Sequence, residues 1–211
     1  MRTVHRPRPA APSSSTQRSD GQAEVLLFHH AQGLTPGVVA FADELRSAGH
    51  VVHTPDLYEG KTFGTVDEGV AHAREIGFGT VLERGRAAAE DLPAELVYAG
   101  FSLGGMPAQM LAQTRPGTRG ALLFHAAIPL SEFGDSWPHG APLQIHFMED
   151  DPWAEEDVPA AREIADTIEG AELFLYPGDL HLFADNSVSD YDPSAAALLR
   201  QRALDLLARV A

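Results

Sequence analysis

From Glu24 onward, short apolar runs alternate with longer stretches in which apolar residues recur at helical spacing. Runs such as EVLLF, ALLF and ELFLY show no polar face, as expected of strands covered by helices on both sides. Six strands are predicted, at 25–29, 50–53, 96–100, 121–124, 143–147 and 172–176. Helices are predicted at 38–47, 67–90, 103–113, 159–168 and 195–209, the second broken around Gly77 and Gly79. Strands and helices in alternation imply βαβ units, hence an α/β fold whose twisted, mostly parallel sheet carries helices on both faces. Reactive loops are then expected at the carboxyl ends of the strands. The segment 126–140, punctuated by Pro129, Gly134, Pro138 and Gly140, reads as an excursion expected to wall part of that edge.

Composition narrows the picture without changing it. A chain of 211 residues, 44% hydrophobic and 21% charged, is long enough for one domain with one sizeable core. Residues 1–22, rich in Pro, Ser and Arg, are expected to form a disordered tail, and 23–211 the folded domain. That tail holds four of the 15 basic side chains and one of the 30 acidic ones, so the remainder carries 11 against 29, a net −18. So acidic a body repels phosphate backbones, and nucleic acid is not expected as a partner. The same excess also serves as a solvated surface that favours solubility. No apolar run of signal-peptide or membrane-span length is visible, so the expected location is cytoplasmic, with no membrane partner. There is no cysteine, which excludes disulfides, thiolate metal sites and a cysteine nucleophile.

The sharpest chemical signal is Gly100-Phe101-Ser102-Leu103-Gly104-Gly105, directly after one predicted strand and directly before a helix. A nucleophilic serine must be exposed at a sharp strand-to-helix turn, and glycines two residues to either side permit the close packing such a turn demands. The helix that follows points its amino end at the turn, so the Leu103 amide can donate to a developing oxyanion. Serine needs a base, and the α/β-hydrolase chain order requires an acid and then a histidine after the nucleophile. His181 is the one histidine beyond the last predicted strand; the loop after the preceding strand, Met148-Glu149-Asp150-Asp151-Pro152-Trp153, offers the acid. Asp151 lies 49 residues after Ser102 and 30 before His181, room for one or two strand-helix units in each interval. Pro107 is an oddity, since it removes a donor near the first turn of a helix.

Four segments, TPDLYEG (54–60), GFSLGG (100–105), IHFMEDDPW (145–153) and YPGDLHLF (176–183), resemble the corresponding stretches of the dienelactone hydrolase family. The resemblance runs from about Val25 to the end of the chain. It implies an α/β-hydrolase domain with a Ser102, His181, Asp151 triad, the acid falling on Asp151 rather than Asp150 by one residue. The family's Gly-His-x-Phe segment matches at His181-Leu182-Phe183, with Leu180 in place of the glycine. The ungapped match from TPDLY back to LLFHH puts the second oxyanion donor on the backbone amide of Ala31, beside that of Leu103.

Two departures from the family's pattern bear on the site. His30 stands where typical members carry a glutamate that restrains a cysteine nucleophile, and Asp185 where they carry an arginine that binds a substrate carboxylate. An aspartate there is expected to repel that group. The expected substrate is therefore a small molecule, a neutral or weakly polar ester, lactone or thioester. Its pocket is expected to be lined by Phe133, Trp137, Trp153 and Phe183, with His30 able to touch it.

His29, His30, His53 and His125 lie at or near strand ends, where imidazoles can converge on zinc. No metal-ligand spacing supports this, and neighbours His29 and His30 should point to opposite faces, so neither metal nor other cofactor is expected. A non-catalytic binding protein on a hydrolase scaffold, or an acyltransferase or peptidase using the same three residues, are the alternatives. Oligomeric state is not legible.

Overall fold

The computed structural model describes residues 21–134 and 136–211. The tail expected over 1–22 therefore lies outside the described residues except for Gly21 and Gln22. In chain order the elements are β1 (Glu24–Phe28), α1 (Pro36–Ser47), β2 (Val51–His53), α2 (Val66–Ile76), α3 (Phe78–Ala89), β3 (Val97–Phe101), α4 (Gly105–Thr114), β4 (Gly120–Phe124), β5 (Leu143–Met148), α5 (Asp157–Thr167), β6 (Ala171–Tyr176) and α6 (Pro193–Val210). The six strands form one sheet in the order β2-β1-β3-β4-β5-β6. Every neighbouring pair is parallel.

Alternation along the strands divides the core in two. Leu26, Phe28, Tyr98, Leu123, Ile145 and Phe147 face one side, packed with residues of α2 to α5. Val25, Leu27, Val97, Ala99, Leu122 and Phe124 face the other, packed with α1 and α6. Both faces are thus buried, which is why the strands read as continuous apolar runs. At the edge, β6 is only half-buried over most of its length.

The expected break in the second helix falls at Gly77, whose φ of 87° ends α2 and admits α3. Three helix starts carry side-chain caps: Thr35 accepts from Val38 N–H, Thr65 from Glu68 N–H, and Asp192 from Ser194 and Ala195 N–H. Such caps satisfy amides that have no partner inside the helix. Pro107 falls in the first turn of α4, where a missing donor costs little, and it meets α3 so closely that a Cβ on Gly85 would sit 2.5 Å from its own. Among the described residues no helix is long and apolar enough to cross a membrane.

Strand order reverses between β1 and β3: the chain moves outward from β1 to β2, then returns to β3 on the other side. The crevice at such a switch point, at the carboxyl ends of the strands, is where ligands bind in open α/β sheets. Ala31 and Ser102 leave β1 and β3 there.

Candidate active site

The turn after β3 is built by its glycines. A Cβ on Gly100 would lie 2.1 Å from the Gly104 carbonyl oxygen, and one on Gly104 would lie 2.6 Å from the carbonyl oxygens of Phe28 and His29. The turn therefore folds back on itself and rests on the end of β1, an approach any larger residue would block. Ser102, at its apex, has φ 47°, the left-handed region, which costs a non-glycine residue roughly 1–3 kcal/mol and persists only where the surroundings enforce it. A short 3-10 turn over Ser102–Gly104 then leads into α4.

This strain presents the hydroxyl to an imidazole. Ser102 Oγ lies 2.7 Å from His181 Nε2, and His181 Nδ1 lies 2.7 Å from Asp151 Oδ2. Asp151 Oδ1 accepts from Trp153 N–H at 2.9 Å, so both carboxylate oxygens are engaged and the side chain is held in one orientation. His181 and Asp151 are buried, whereas Asp150 is exposed, so the carboxylate at the imidazole is Asp151. With Nδ1–H donated to Asp151, Nε2 is left as the acceptor for the serine proton.

Ser102 and His181 open into a cavity of about 710 Å³. Its walls are mostly apolar: Val66, Val70, Phe78 and Leu82 from α2 and α3, Leu103 and Met106 from the elbow and α4, and Ile128, Pro129 and Phe133 from the 126–140 excursion, with Trp153 closing another side. Ala31 and Leu103 border the cavity beside Ser102. Two acids also line it, Glu132 and Asp157. Burial raises the Asp157 pKa, against an opposing hydrogen bond from Ala127 N–H.

Of the aromatic residues expected in the pocket, Phe133 and Trp153 line it. Trp137 and Phe183 do not. Trp137 is buried and donates its Nε1–H to the Ala141 carbonyl at 2.7 Å, which spends its polar edge within the excursion. Phe183 is fully buried on the α1–α6 side, its ring 4.6 Å from that of His125 and 5.0 Å from that of Tyr176. His30 is also outside the cavity. It is fully buried, edge-on to Phe101, and its Nε2 lies 2.7 Å from Asp185 Oδ2. Asp185, expected to repel a substrate carboxylate, is buried by the same contact and by Thr35 and Ser187, so it cannot act on a ligand in this cavity. The acids that do face it, Glu132 and Asp157, lie on segments whose pattern carried no chemical signal, one in the excursion and one at the start of α5.

The four histidines considered for zinc are dispersed. His29 Nδ1 pairs with the His30 carbonyl and its Nε2 accepts from Leu57 N–H; His30 turns to the opposite side of the sheet, and His53 meets Glu24 at 2.8 Å. His125, with φ 62° at the end of β4, is buried beside His181, their ring centroids 5.8 Å apart. Neither of its ring nitrogens has a hydrogen-bond partner among the described residues. No group of three or more His, Cys, Asp or Glu among those residues is placed to hold a metal ion.

A family model described as the dienelactone hydrolase family matches residues 13–211. The chain belongs to the dienelactone hydrolase family. Solved structures agree on its fold. A dienelactone hydrolase-like promiscuous phosphotriesterase from metagenomic libraries is similar at 18% identity with a TM-score of 0.74, over 92% of this chain and 88% of that one. Dienelactone hydrolase from Anabaena variabilis is similar at 20% identity and 0.65, over 90% and 88%. A thermophilic esterase from Thermogutta terrifontis is similar at 16% identity and 0.59, over 93% and 86%. This member of the family is thus a dienelactone hydrolase-like α/β hydrolase with serine at its elbow.

Proposed function

We propose that this protein is a serine hydrolase that cleaves a small ester, lactone or thioester through an acyl-enzyme intermediate. The observation that carries this is the continuous hydrogen-bonded chain from Ser102 Oγ through His181 to Asp151, opening on an apolar cavity. As the serine oxygen attacks the carbonyl carbon, its proton passes to His181 Nε2, while Asp151 holds the imidazole's tautomer and stabilises its charged form. The amides of Ala31 and Leu103 donate to the oxyanion. His181 then returns the proton to the departing oxygen or sulfur, leaving an acyl-serine. A water, deprotonated by the same imidazole, releases the acid and regenerates Ser102.

The acyl group is apolar and uncharged in this reading, because the charged residues lining the cavity among the described residues, Glu132 and Asp157, are both acids and disfavour a carboxylate. Turnover of a panel of p-nitrophenyl esters, lactones and thioesters by wild type and Ser102→Ala tests it. The serine variant is expected to lose at least about a thousandfold, as when a nucleophile acting with its base is removed. A fluorophosphonate should label wild type at Ser102. Unchanged turnover in Ser102→Ala removes Ser102 as the nucleophile and overturns the proposal; no turnover of any ester and no adduct at Ser102 overturn it in favour of a binding protein on this scaffold.

A further inference from the structure

The cavity beside Ser102 is one half of a longer cleft. A second cavity of about 570 Å³ adjoins it, and Val66 and Trp153 are walls of both. The halves differ in chemistry. Where the first is aliphatic and aromatic, the second is bordered by Thr62, Thr65, Ser189 and Gln32, whose side-chain amide N–H also donates to the Phe63 carbonyl, with Asp67 and Asp190 beside them.

Ser102 and His181 themselves line the first cavity, and the second is reached from them past Trp153, a wall that both share. A leaving group takes its proton from the base, so it departs on the imidazole side of the serine. Trp153 is the wall on that side: its ring centroid is 5.9 Å from that of His181, tilted by 37°. At 43% exposure, it is open to the cleft, and the second cavity extends from it. The apolar half is therefore left to the acyl chain and the polar half to the alcohol.

We infer that the alcohol is a neutral polyol, such as a glyceryl or monosaccharide group, so that the substrate is an apolar acyl ester of a polyhydroxylated alcohol. This rests on the hydrolase reading above. Hydroxyl and amide side chains match a polyol's alternating donors and acceptors, and an exposed indole covers the C–H face of a polyol while the hydroxyls stay at its rim. Thr65 Oγ1 accepts the Glu68 amide, which leaves its O–H to be donated. The two carboxylates repel an anionic alcohol. They are also partly compensated: Asp190 takes the Ser189 hydroxyl at 3.2 Å, and Asp67 lies in the first turn of α2, where helix amides favour negative charge. That leaves them suited to accept hydroxyls more than to hold a full cation. In the reaction the acyl C–O bond breaks, the polyol oxygen takes the proton from His181, and water's oxygen ends on the acyl carbon.

The test compares kcat/KM for the glyceryl, ethyl and choline esters of one medium-chain acid, in wild type and in a Thr62→Leu, Ser189→Leu double variant whose altered positions are both exposed. Wild type is expected to prefer the glyceryl ester by about tenfold or more, as a site built to hydrogen-bond hydroxyls discriminates against analogues lacking them. The double variant is expected to lose most of that preference. Equal turnover of the two esters by wild type, a preference that survives the double variant, or a stronger preference for the choline ester each overturns the inference while leaving the hydrolase reading intact. Hexyl glucoside, an uncleavable ether, is titrated in parallel against intrinsic tryptophan fluorescence of Ser102→Ala protein. Saturable binding that the double variant weakens supports the polyol half, and with no turnover of any ester it overturns the hydrolase reading alone. No binding of hexyl glucoside overturns the polyol half.

Discussion

His30 and Asp185, 155 residues apart in sequence, lie 2.7 Å from each other, both fully buried. They occupy the two positions at which the family resemblance places a glutamate beside the nucleophile and an arginine for a substrate carboxylate; here they bond to one another, and neither reaches the cavity. Asp185 also accepts from Thr35 and Ser187, and Gly37 makes room for it, since a Cβ there would overlap its carboxylate. Burial would raise its pKa, but these hydrogen bonds outweigh burial and bring it to about 2. The contact joins the residue before Ala31 to the loop four residues beyond His181, so it holds one proposed oxyanion donor in register with the base.

Asp185→Ala is therefore expected to cost about 3 kcal/mol or more, as when one partner of a buried pair is removed, read as a lower denaturant midpoint. If the pair positions Ala31, kcat should fall more than KM rises, because an oxyanion donor acts in the transition state. An unaltered midpoint shows that the contact contributes nothing to the fold; an unaltered kcat in folded variant shows that it does not position the site.

The neighbouring acids separate by their surroundings. Asp151 holds the His181 imidazole and is shut from water, whereas Asp150 is exposed. Asp151→Asn should lower kcat by roughly three to four orders of magnitude, the loss expected when the base is left in the wrong tautomer. Asp150→Asn should change it less than about twofold, the insensitivity of an exposed side chain that touches no reacting group. Comparable losses from the two variants would remove Asp151 from its proposed role.

Much of this was legible in the chain, and the exceptions share causes. All six strands fall within one residue of their expected ends because both faces are buried and the apolar runs stop where the sheet stops. Helix starts are less accurate. α1 and α6 begin at Pro36 and Pro193, two residues before the expected 38 and 195, because a proline opening a helix reads as a breaker although its missing donor is not needed there; α5 begins at Asp157, two residues before the expected 159, because Pro159 reads as its first residue although any position of the first turn tolerates the missing donor. Chain order points to Ser102, to His181 and to the loop that holds the acid, whereas the choice of Asp151 over Asp150 rests on the family resemblance. Trp137 and Phe183 were misplaced because an aromatic residue in a loop carries no periodicity, and its size does not say whether it turns to the cavity or to the core. Glu132 and Asp157 reach the cavity only through the path of the excursion and the start of α5, which no local pattern encodes.

Stability should fall with acid from a higher pH than carboxylates alone would set. Burial lowers the pKa of His29 to about 4 and of His146 to about 3, and lowers those of His50 and His125 as well. Each favours the neutral form more strongly in the fold than in the unfolded chain, where all four take up protons below about pH 6.5. The unfolded state then binds more protons, so stability present above pH 6.5 is lost as pH falls toward the folded pKa values. For His29 alone the loss by pH 4 is roughly 3 kcal/mol, at about 1.4 kcal/mol per pKa unit. Asp157, raised by burial, acts in the opposite sense, but as one group against four and at the acid end of the range. Denaturant midpoints measured from pH 8 to pH 4 should decline steadily below 6.5; a flat profile to pH 5 would contradict the burial of these rings.

His125 supplies a sharper form of the same argument. Its ring is enclosed by Phe101, Phe183 and His181, and both of its nitrogens are buried without partners. Leaving a buried polar group unsatisfied costs about 1–3 kcal/mol, whereas an apolar group of similar shape has no such cost. The φ of 62° is one that histidine adopts more readily than phenylalanine, so backbone strain offsets part of the gain. His125→Phe is expected to raise stability at pH 7 by about 1 kcal/mol or more, and to reduce its dependence on pH between 6.5 and 4 by the proton that His125 takes up on unfolding. Differential scanning calorimetry across that range reads both effects. A lower melting temperature at pH 7, with the pH dependence unchanged, would mean that the imidazole is satisfied in the folded protein and that its place beside His181 is a stabilising one.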